Sequence, residues 1–274
     1  MAYKRILTIQ DISCVGQYSM TVALPILSAC GHETCILPTA LLSTHTGGFG
    51  KPAVVHFDGS LDAMWQHWQE NEITFDAILV GYLGSLEAVR AAGEIMDQLL
   101  ASGGVAIVDP AMADHGRLYS GLTQEYARAM EDLCRRADII LPNVTEAAMF
   151  AGREYREDLS EAYISDLLDA LNHPCVILTG TGYEVNQTGV TVREGSTTTL
   201  YSHPRIGKSY HGTGDMFAAC FTGALMSGKT KPETVRIAAD FVCRAIEKTV
   251  ENPAHWYGVK FEKALPDLIR WLQE

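Results

Sequence analysis

DAILVGYLGSLEAVRAAGEIMDQLLASGGVAIVDP, residues 76–110, decides the architecture. Residues 76–80 (DAILV) are a continuous apolar run that stops at Gly81. Residues 85–101 repeat apolar positions at helical spacing and are closed by Ser102-Gly103-Gly104, a helix-stop signal. Residues 105–108 (VAIV) form a second apolar run ending at Asp109-Pro110. Continuous apolar strands are buried on both faces, and a helix between two of them makes the pair parallel.

The same rhythm continues in both directions. Upstream, strands are expected at 4–10 and 34–39, with Pro38 weakening the end of the second, and helices at 17–30 and 60–70. A Gly-rich loop, HTGGFGK, lies at 45–51. Downstream, helices are expected at 122–136, 145–151 and 160–171, and strands at 138–141 and 174–178. Residues 185–206 alternate and are rich in Thr, Val and Gly, which predicts an antiparallel hairpin. Two helices follow, at 214–226 and 232–249. The expected fold is three-layer α/β/α, with a mostly parallel central sheet and a small antiparallel hairpin at its edge. No linker, low-complexity segment or repeat interrupts residues 1–274, which read as one domain.

Composition narrows the function classes. The net charge of −12 repels phosphate backbones and argues against a general nucleic-acid binder. The seven cysteines are scattered and form no C-x-x-C, so neither a disulfide framework nor a zinc knuckle is expected. The beginning, MAYKRILTIQD, reads as a first strand rather than a signal peptide. No stretch approaches the roughly 18 consecutive apolar residues of a membrane span. The expectation is a cytosolic protein without membrane or nucleic-acid partners, in which the sequons at Asn143 and Asn186 are chance matches.

Ligands of a parallel sheet bind at the carboxyl ends of its strands. The residues that follow the strands are Asp11, His45-Thr46-Gly47, Gly81-Tyr82, Asp109 with Asp114, Asn143 with Glu146, and Thr179-Gly180. His211-Gly212-Thr213-Gly214-Asp215 precedes an apolar helical run, and its glycines bring unpaired helix N–H groups up to an anion. Asp215 has two readings there: a helix cap, or a base that deprotonates a hydroxyl beside a phosphoryl group. Asp109, Asp114 and Glu146 read either as solvated loop and cap residues or as ligands of Mg²⁺, which takes few carboxylates plus water and phosphate oxygens. Asn143 or Thr145 could equally cap the helix that contains Glu146. Lys208 and Lys51 are phosphate screens or solvated cations. Gly223–Thr230 matches G-x-x-x-x-G-K-[ST] literally, but its first residues continue the helix from Asp215, so no phosphate loop is expected.

The ordered set resembles the ribokinase superfamily, and within it the pyridoxal kinases. The resemblance rests on Gly212-Thr213-Gly214-Asp215, His45-Thr46-Gly47, Gly81-Tyr82, Asp109-Pro110-Ala-Met-Ala-Asp114 and Pro142-Asn143-Val-Thr-Glu146, in order from about residue 5 to 250. It implies a ribokinase-like fold and ATP-dependent phosphorylation of the 5′-hydroxymethyl group of pyridoxal, pyridoxine or pyridoxamine. It implies Asp215 as the base and Gly212, Thr213 and Gly214 as the anion hole. Asp114 and Glu146 would hold Mg²⁺, with Asn143 nearby. Asp109 and Thr179 would lie near the nucleotide phosphates and a monovalent cation such as K⁺, and Lys208 beside the ATP. Asp11, His45, Thr46 and Tyr82 would surround the pyridine, Tyr82 packing on its ring. A homodimer is also implied.

Two positions depart from the family pattern. Asp11 stands where pyridoxal kinases usually carry a Ser against the ring nitrogen, and favours a protonated ring. The related hydroxymethylpyrimidine kinases tend to carry Asp there, in a Gly-rich stretch that this chain lacks. Leu141 replaces the family's Thr and removes one polar ligand of the cation region. No Cys lies in 203–214, against the variant that traps an aldehyde on a lid thiol. The competing readings are a hydroxymethylpyrimidine kinase, favoured by Asp11 and opposed by Tyr82 and His45-Thr46-Gly47, and a non-catalytic vitamin-binding protein, opposed by Asp215, Asp114 and Glu146. Residues 111–121 and 203–212 are expected to close over ATP.

Overall fold

The computed structural model describes residues 3–184, 186–207, 210–250, 252 and 254–274. Their elements are, in order, β1 (Arg5–Ser13), α1 (Met20–Ala29), β2 (Glu33–Leu42), β3 (Val54–His56), α2 (Leu61–Glu70), β4 (Phe75–Val80), α3 (Leu86–Leu99), β5 (Leu100–Val108), β6 (Ala113–Asp114), β7 (Arg117–Leu118), α4 (Gln124–Arg135), β8 (Ile139–Ile140), α5 (Val144–Phe150), α6 (Glu161–Leu171), β9 (Cys175–Thr179), β10 (Gln187–Glu194), β11 (Thr197–Pro204), α7 (Thr213–Met226), α8 (Lys231–Val250) and α9 (Leu265–Gln273).

Among the described residues one nine-stranded sheet runs in the order β11-β10-β9-β8-β5-β4-β1-β2-β3, and β6 and β7 pair separately. The pairs from β2 to β9 are parallel, while β3 at one edge and β10–β11 at the other are antiparallel. The period-two rule puts Ile78 and Val80 of β4 on one face, with α2 to α6, and Ala77 and Leu79 on the other, with α1, α7, α8 and α9. Both faces are therefore dry, as the continuous apolar strands require. The chain adds β2 on one side of β1 and β4 on the other, so the order reverses at β1 and opens a crevice at its carboxyl end.

Several boundaries differ from the sequence expectation. The first helix begins at Met20 rather than residue 17, because Ser19 takes φ 47° and ψ −123°. β2 runs through Pro38 to Leu42; its outer neighbour β3 pairs only Ala40–Leu42, so Pro38 lies beside an open edge that tolerates a missing N–H. Ser102-Gly103-Gly104 does not stop the helix: α3 already ends at Leu99, where Leu100 turns to ψ 125°, and the three residues belong to β5. The hairpin of β10 and β11 forms as expected, although Val185 lies outside the described residues.

Candidate functional site

The carboxyl ends of the parallel strands and the start of α7 enclose one cavity of about 700 Å³, within the size range of small-molecule sites. Asp11, His45, Thr46, Tyr82, Asp109, Asp114, Asn143, Glu146, Thr179, Gly212, Thr213, Gly214 and Asp215 all line it. Lys208 lies outside the described residues.

At the centre, Gly212 is the N-cap of α7 with φ 80° and provides no side-chain cap. A Cβ on Gly212 would meet the carbonyl oxygen of Gln17 at 2.3 Å, so only glycine fits both the torsion and the approach. Asp215 is in the first turn, but its Oδ2 accepts from the backbone N–H of Ser19, 3.0 Å away, rather than from its own helix. Burial pushes its carboxyl up to about 6; the bond from Ser19 opposes this and the charge of Asp11 adds to it. A carboxyl with that value is a base at neutral pH, beside backbone donors suited to an anion.

Asp109, Asp114 and Glu146 flank this centre. Glu146 is buried, and its oxygens accept from the N–H groups of Met112 (2.8 Å), Ala113 (3.3 Å) and Asn143 (2.9 Å). Asn143 in turn accepts from the Glu146 N–H at 3.0 Å, so the two form a capping box and Asn143, not Thr145, is the cap. The cap and the site therefore share one carboxylate. Burial pushes Glu146 up to about 7, against these three bonds. Asp109 is raised by burial and by the charges of Glu146 and Asp215. Asp114 is exposed and holds the His115 N–H at 2.8 Å. Among the described residues no Lys or Arg pairs with Asp109, Asp114 or Glu146, and no group of three metal-ligating side chains occurs. Unneutralised carboxylates of that number, with Asp109 and Glu146 raised by burial, fit a Mg²⁺ that brings its own water and phosphate oxygens. For K⁺ the set is poorer, because Leu141 is buried and apolar and the Thr179 hydroxyl donates to the Pro142 carbonyl at 3.4 Å.

One end of the cavity is aromatic and polar. Tyr18 stacks on His45, and Phe49 meets the same imidazole edge-on. The Gly47 N–H donates to His45 Nδ1 at 2.9 Å, which places the ring proton on Nε2. Burial, with His211 nearby, lowers His45 to about 4. The Asp11 carboxyl is buried and raised by desolvation, and the Ser13 hydroxyl reaches its Oδ2 at 3.3 Å. Among the described residues Asp11 Oδ1, the Tyr18 hydroxyl and His45 Nε2 are buried without a hydrogen-bond partner. Such atoms need a polar ligand or water.

The other end was not foreseen from the sequence. Ala239, Val242, Cys243 and Ile246 of α8 line it opposite Thr188–Val190 and His203–Ile206. Their spacing of three, one and three is one helix face, a signal that was present but reads equally well as core. Tyr18 and Ser19 were also missed, because residues 17–30 read as one helix. The literal phosphate-loop match is excluded: Gly223 is inside α7, and Gly228, at φ 89°, follows its C-cap.

The model of the phosphomethylpyrimidine kinase family matches residues 29–259. The pyridoxine/pyridoxal/pyridoxamine kinase of Bordetella avium is 30% identical over 97% of this chain and 93% of its own. The crystal structure of pyridoxal kinase from Lactobacillus plantarum superposes with a TM-score of 0.90 at 32% identity, covering 98% of both chains. The hydroxymethylpyrimidine/phosphomethylpyrimidine kinase of Haemophilus influenzae is 29% identical over 65% of this chain and 67% of its own.

Proposed function

From the premise that this chain belongs to the phosphomethylpyrimidine kinase family, and to the pyridoxal kinases of the ribokinase-like superfamily, we propose that it transfers the γ-phosphoryl group of ATP to the 5′-hydroxymethyl group of pyridoxal, pyridoxine or pyridoxamine. One observation carries the assignment of roles. Asp215, poised near 6, lines one cavity together with the aromatic, hydrogen-bonding groups of Tyr18, His45 and Asp11 and an apolar face of α8.

In this reading the vitamin lies against Tyr82, His45, Thr46 and Asp11, and the nucleotide extends past Asp109, Asn143 and Thr179 to α8. Asp215 takes the proton of the attacking hydroxyl. The N–H groups of Gly212, Thr213 and Gly214 receive the developing negative charge, which is where phosphoryl transfer needs stabilisation. Asp114 and Glu146 would hold Mg²⁺, which supplies charge neutralisation to the phosphates. Asp11 Oδ1 accepts from a protonated ring nitrogen, and His45 Nε2 donates to an oxygen substituent. A homodimer belongs to the same reading, supported by the exposed edge strand β3 with Val54 and Val55. No helix among the described residues is long and apolar enough to cross a membrane.

The test is ATP consumption by purified protein with Mg²⁺ on pyridoxal, pyridoxine, pyridoxamine and hydroxymethylpyrimidine side by side. Turnover chiefly on the three pyridines supports the assignment. Turnover chiefly on the pyrimidine overturns it in favour of the thiamine branch.

A further inference from the structure

The loop between β2 and β3 brings His45, Thr46 and Gly47 to the cavity. Among the described residues, 46–52 make a single hydrogen bond, from the Gly47 N–H to His45 Nδ1 at 2.9 Å. A segment with so few bonds opens easily unless side chains hold it. Phe49 is such a side chain. Its ring meets the His45 imidazole edge-on, with centroids 5.0 Å apart and planes at 80°. The same ring lies 4.6 Å from that of Trp256 and 5.7 Å from that of Tyr257. Trp256 also covers Gly48, where φ is 83° and a Cβ would run into the indole.

Trp256 and Tyr257 belong to the segment that follows α8. That segment is fixed independently of the loop. His255 Nε2 donates to Gln17 Oε1 at 2.7 Å, and Val259 and Phe261 are buried in the core. Four rings, Tyr18, His45, Phe49 and Trp256, thus run in contact from the cavity to a fixed point outside it. Tyr18 and His45 line the cavity; Phe49 and Trp256 do not.

We propose that Trp256 is a positioning residue for the vitamin: through Phe49 it holds the 45–50 loop in place, and with it the His45 Nε2 donor and Thr46. This rests on placing the vitamin at that end of the cavity, so the test includes a readout that needs no substrate. A residue that acts only through this loop changes vitamin affinity and leaves the base Asp215 and the nucleotide end alone. Trp256 is 45% exposed, so its truncation opens no core cavity and the variant folds.

Hydrogen exchange of the 45–50 amides is followed by mass spectrometry in the free wild type, W256A, W256F, F49A and W256A/F49A. Steady-state kinetics are measured beside it. In W256A we expect the loop exchange rate and the vitamin KM each to rise about three- to ten-fold, the range of one aromatic pair. kcat and the KM for ATP stay within about two-fold. W256F, which keeps a ring against Phe49, restores both readouts. F49A repeats the rise, and the double variant goes no further than F49A, because Trp256 acts through Phe49.

An unchanged vitamin KM in W256A overturns the proposal, and so does an unchanged loop exchange. An effect that adds to that of F49A overturns it, as does a loss spread equally over the vitamin and ATP, which marks a merely structural role. A wild type that turns over no vitamer, with loop exchange that still quickens in W256A, leaves Trp256 as the anchor of the loop and refutes the functional assignment instead.

Discussion

The Tyr18 ring lies on the His45 imidazole, with centroids 3.8 Å apart and planes inclined by 30°. The stack keeps the imidazole apolar on its face, while the Gly47 amide fixes its tautomer. His45 is lowered from 6.5 to about 4, so it is neutral throughout the physiological range. The folded protein then binds fewer protons than the unfolded chain between those values. Stability is lost as pH falls from about 6.5 to about 4. His45→Phe keeps the stack, removes that loss and deletes the Nε2 donor. We expect the vitamin KM to rise roughly ten-fold with kcat within a few-fold, measured by steady-state kinetics with acid unfolding followed alongside.

Asp215→Asn removes the base. We expect kcat to fall by about 10²- to 10⁴-fold with little change in either KM. Because the folded value of about 6 lies above the ordinary carboxylate value, the folded state binds the proton more tightly. Ionised Asp215 therefore costs stability above pH 6, and that cost fades as pH falls through 6. The variant should be more stable than the wild type at pH 8, by about 1 kcal/mol after screening, and equal to it near pH 4. Thermal melts at the two pH values check the sign.

Glu146 serves a helix cap and the acidic cluster at once. Glu146→Ala strands the buried amides of Met112, Ala113 and Asn143, at a cost of roughly 2–4 kcal/mol. Glu146→Gln keeps acceptors for some of them and should fold. Its expected signature is a Mg²⁺ requirement raised about ten-fold, one lost charge-assisted contact, with the melting temperature nearly kept. A Mg²⁺ titration of activity beside a denaturant series separates the two variants.

Gly212→Ala places a methyl 2.3 Å from the Gln17 carbonyl at a φ of 80°. The start of α7 must then move away from the β1–α1 segment. We expect kcat to fall at least about 100-fold, the scale of losing one oxyanion donor, with ATP binding measured by calorimetry weakened far less.

The lining of the cavity was largely legible because a parallel sheet gathers the residues at its strand ends. Asp11, Tyr82, Asp109, Glu146 and Thr179 each follow an apolar run, and a parallel sheet brings such residues to one edge. Torsions were not legible. Ser19 is a good cap residue by type, and nothing in MTVALPILSA shows that its backbone is bent or that its amide faces Asp215. β3 was missed because three exposed residues carry no burial pattern, and α9 lies beyond the segments read as regular. The α3–β5 junction was misplaced because Gly103 and Gly104 look like a helix stop, whereas they sit in the exposed start of a strand.

β1 and β2 lose register near the cavity: Gln10 faces Pro38, but Ile12 faces Leu41, so β2 carries one residue more than β1 across that step. Thr39 and Ala40 are accordingly both buried, which breaks the alternation of the strand. Removing one residue there would turn the end of β2 over and swing the loop with His45 and Thr46 away from Asp11. The exposed turn at 195–196 that joins β10 to β11, by contrast, can change length without touching the cavity. Natural relatives with gaps should therefore place them at such turns, and descent with insertion or deletion has little freedom in the twelve or so ångströms of strand leading to the vitamin.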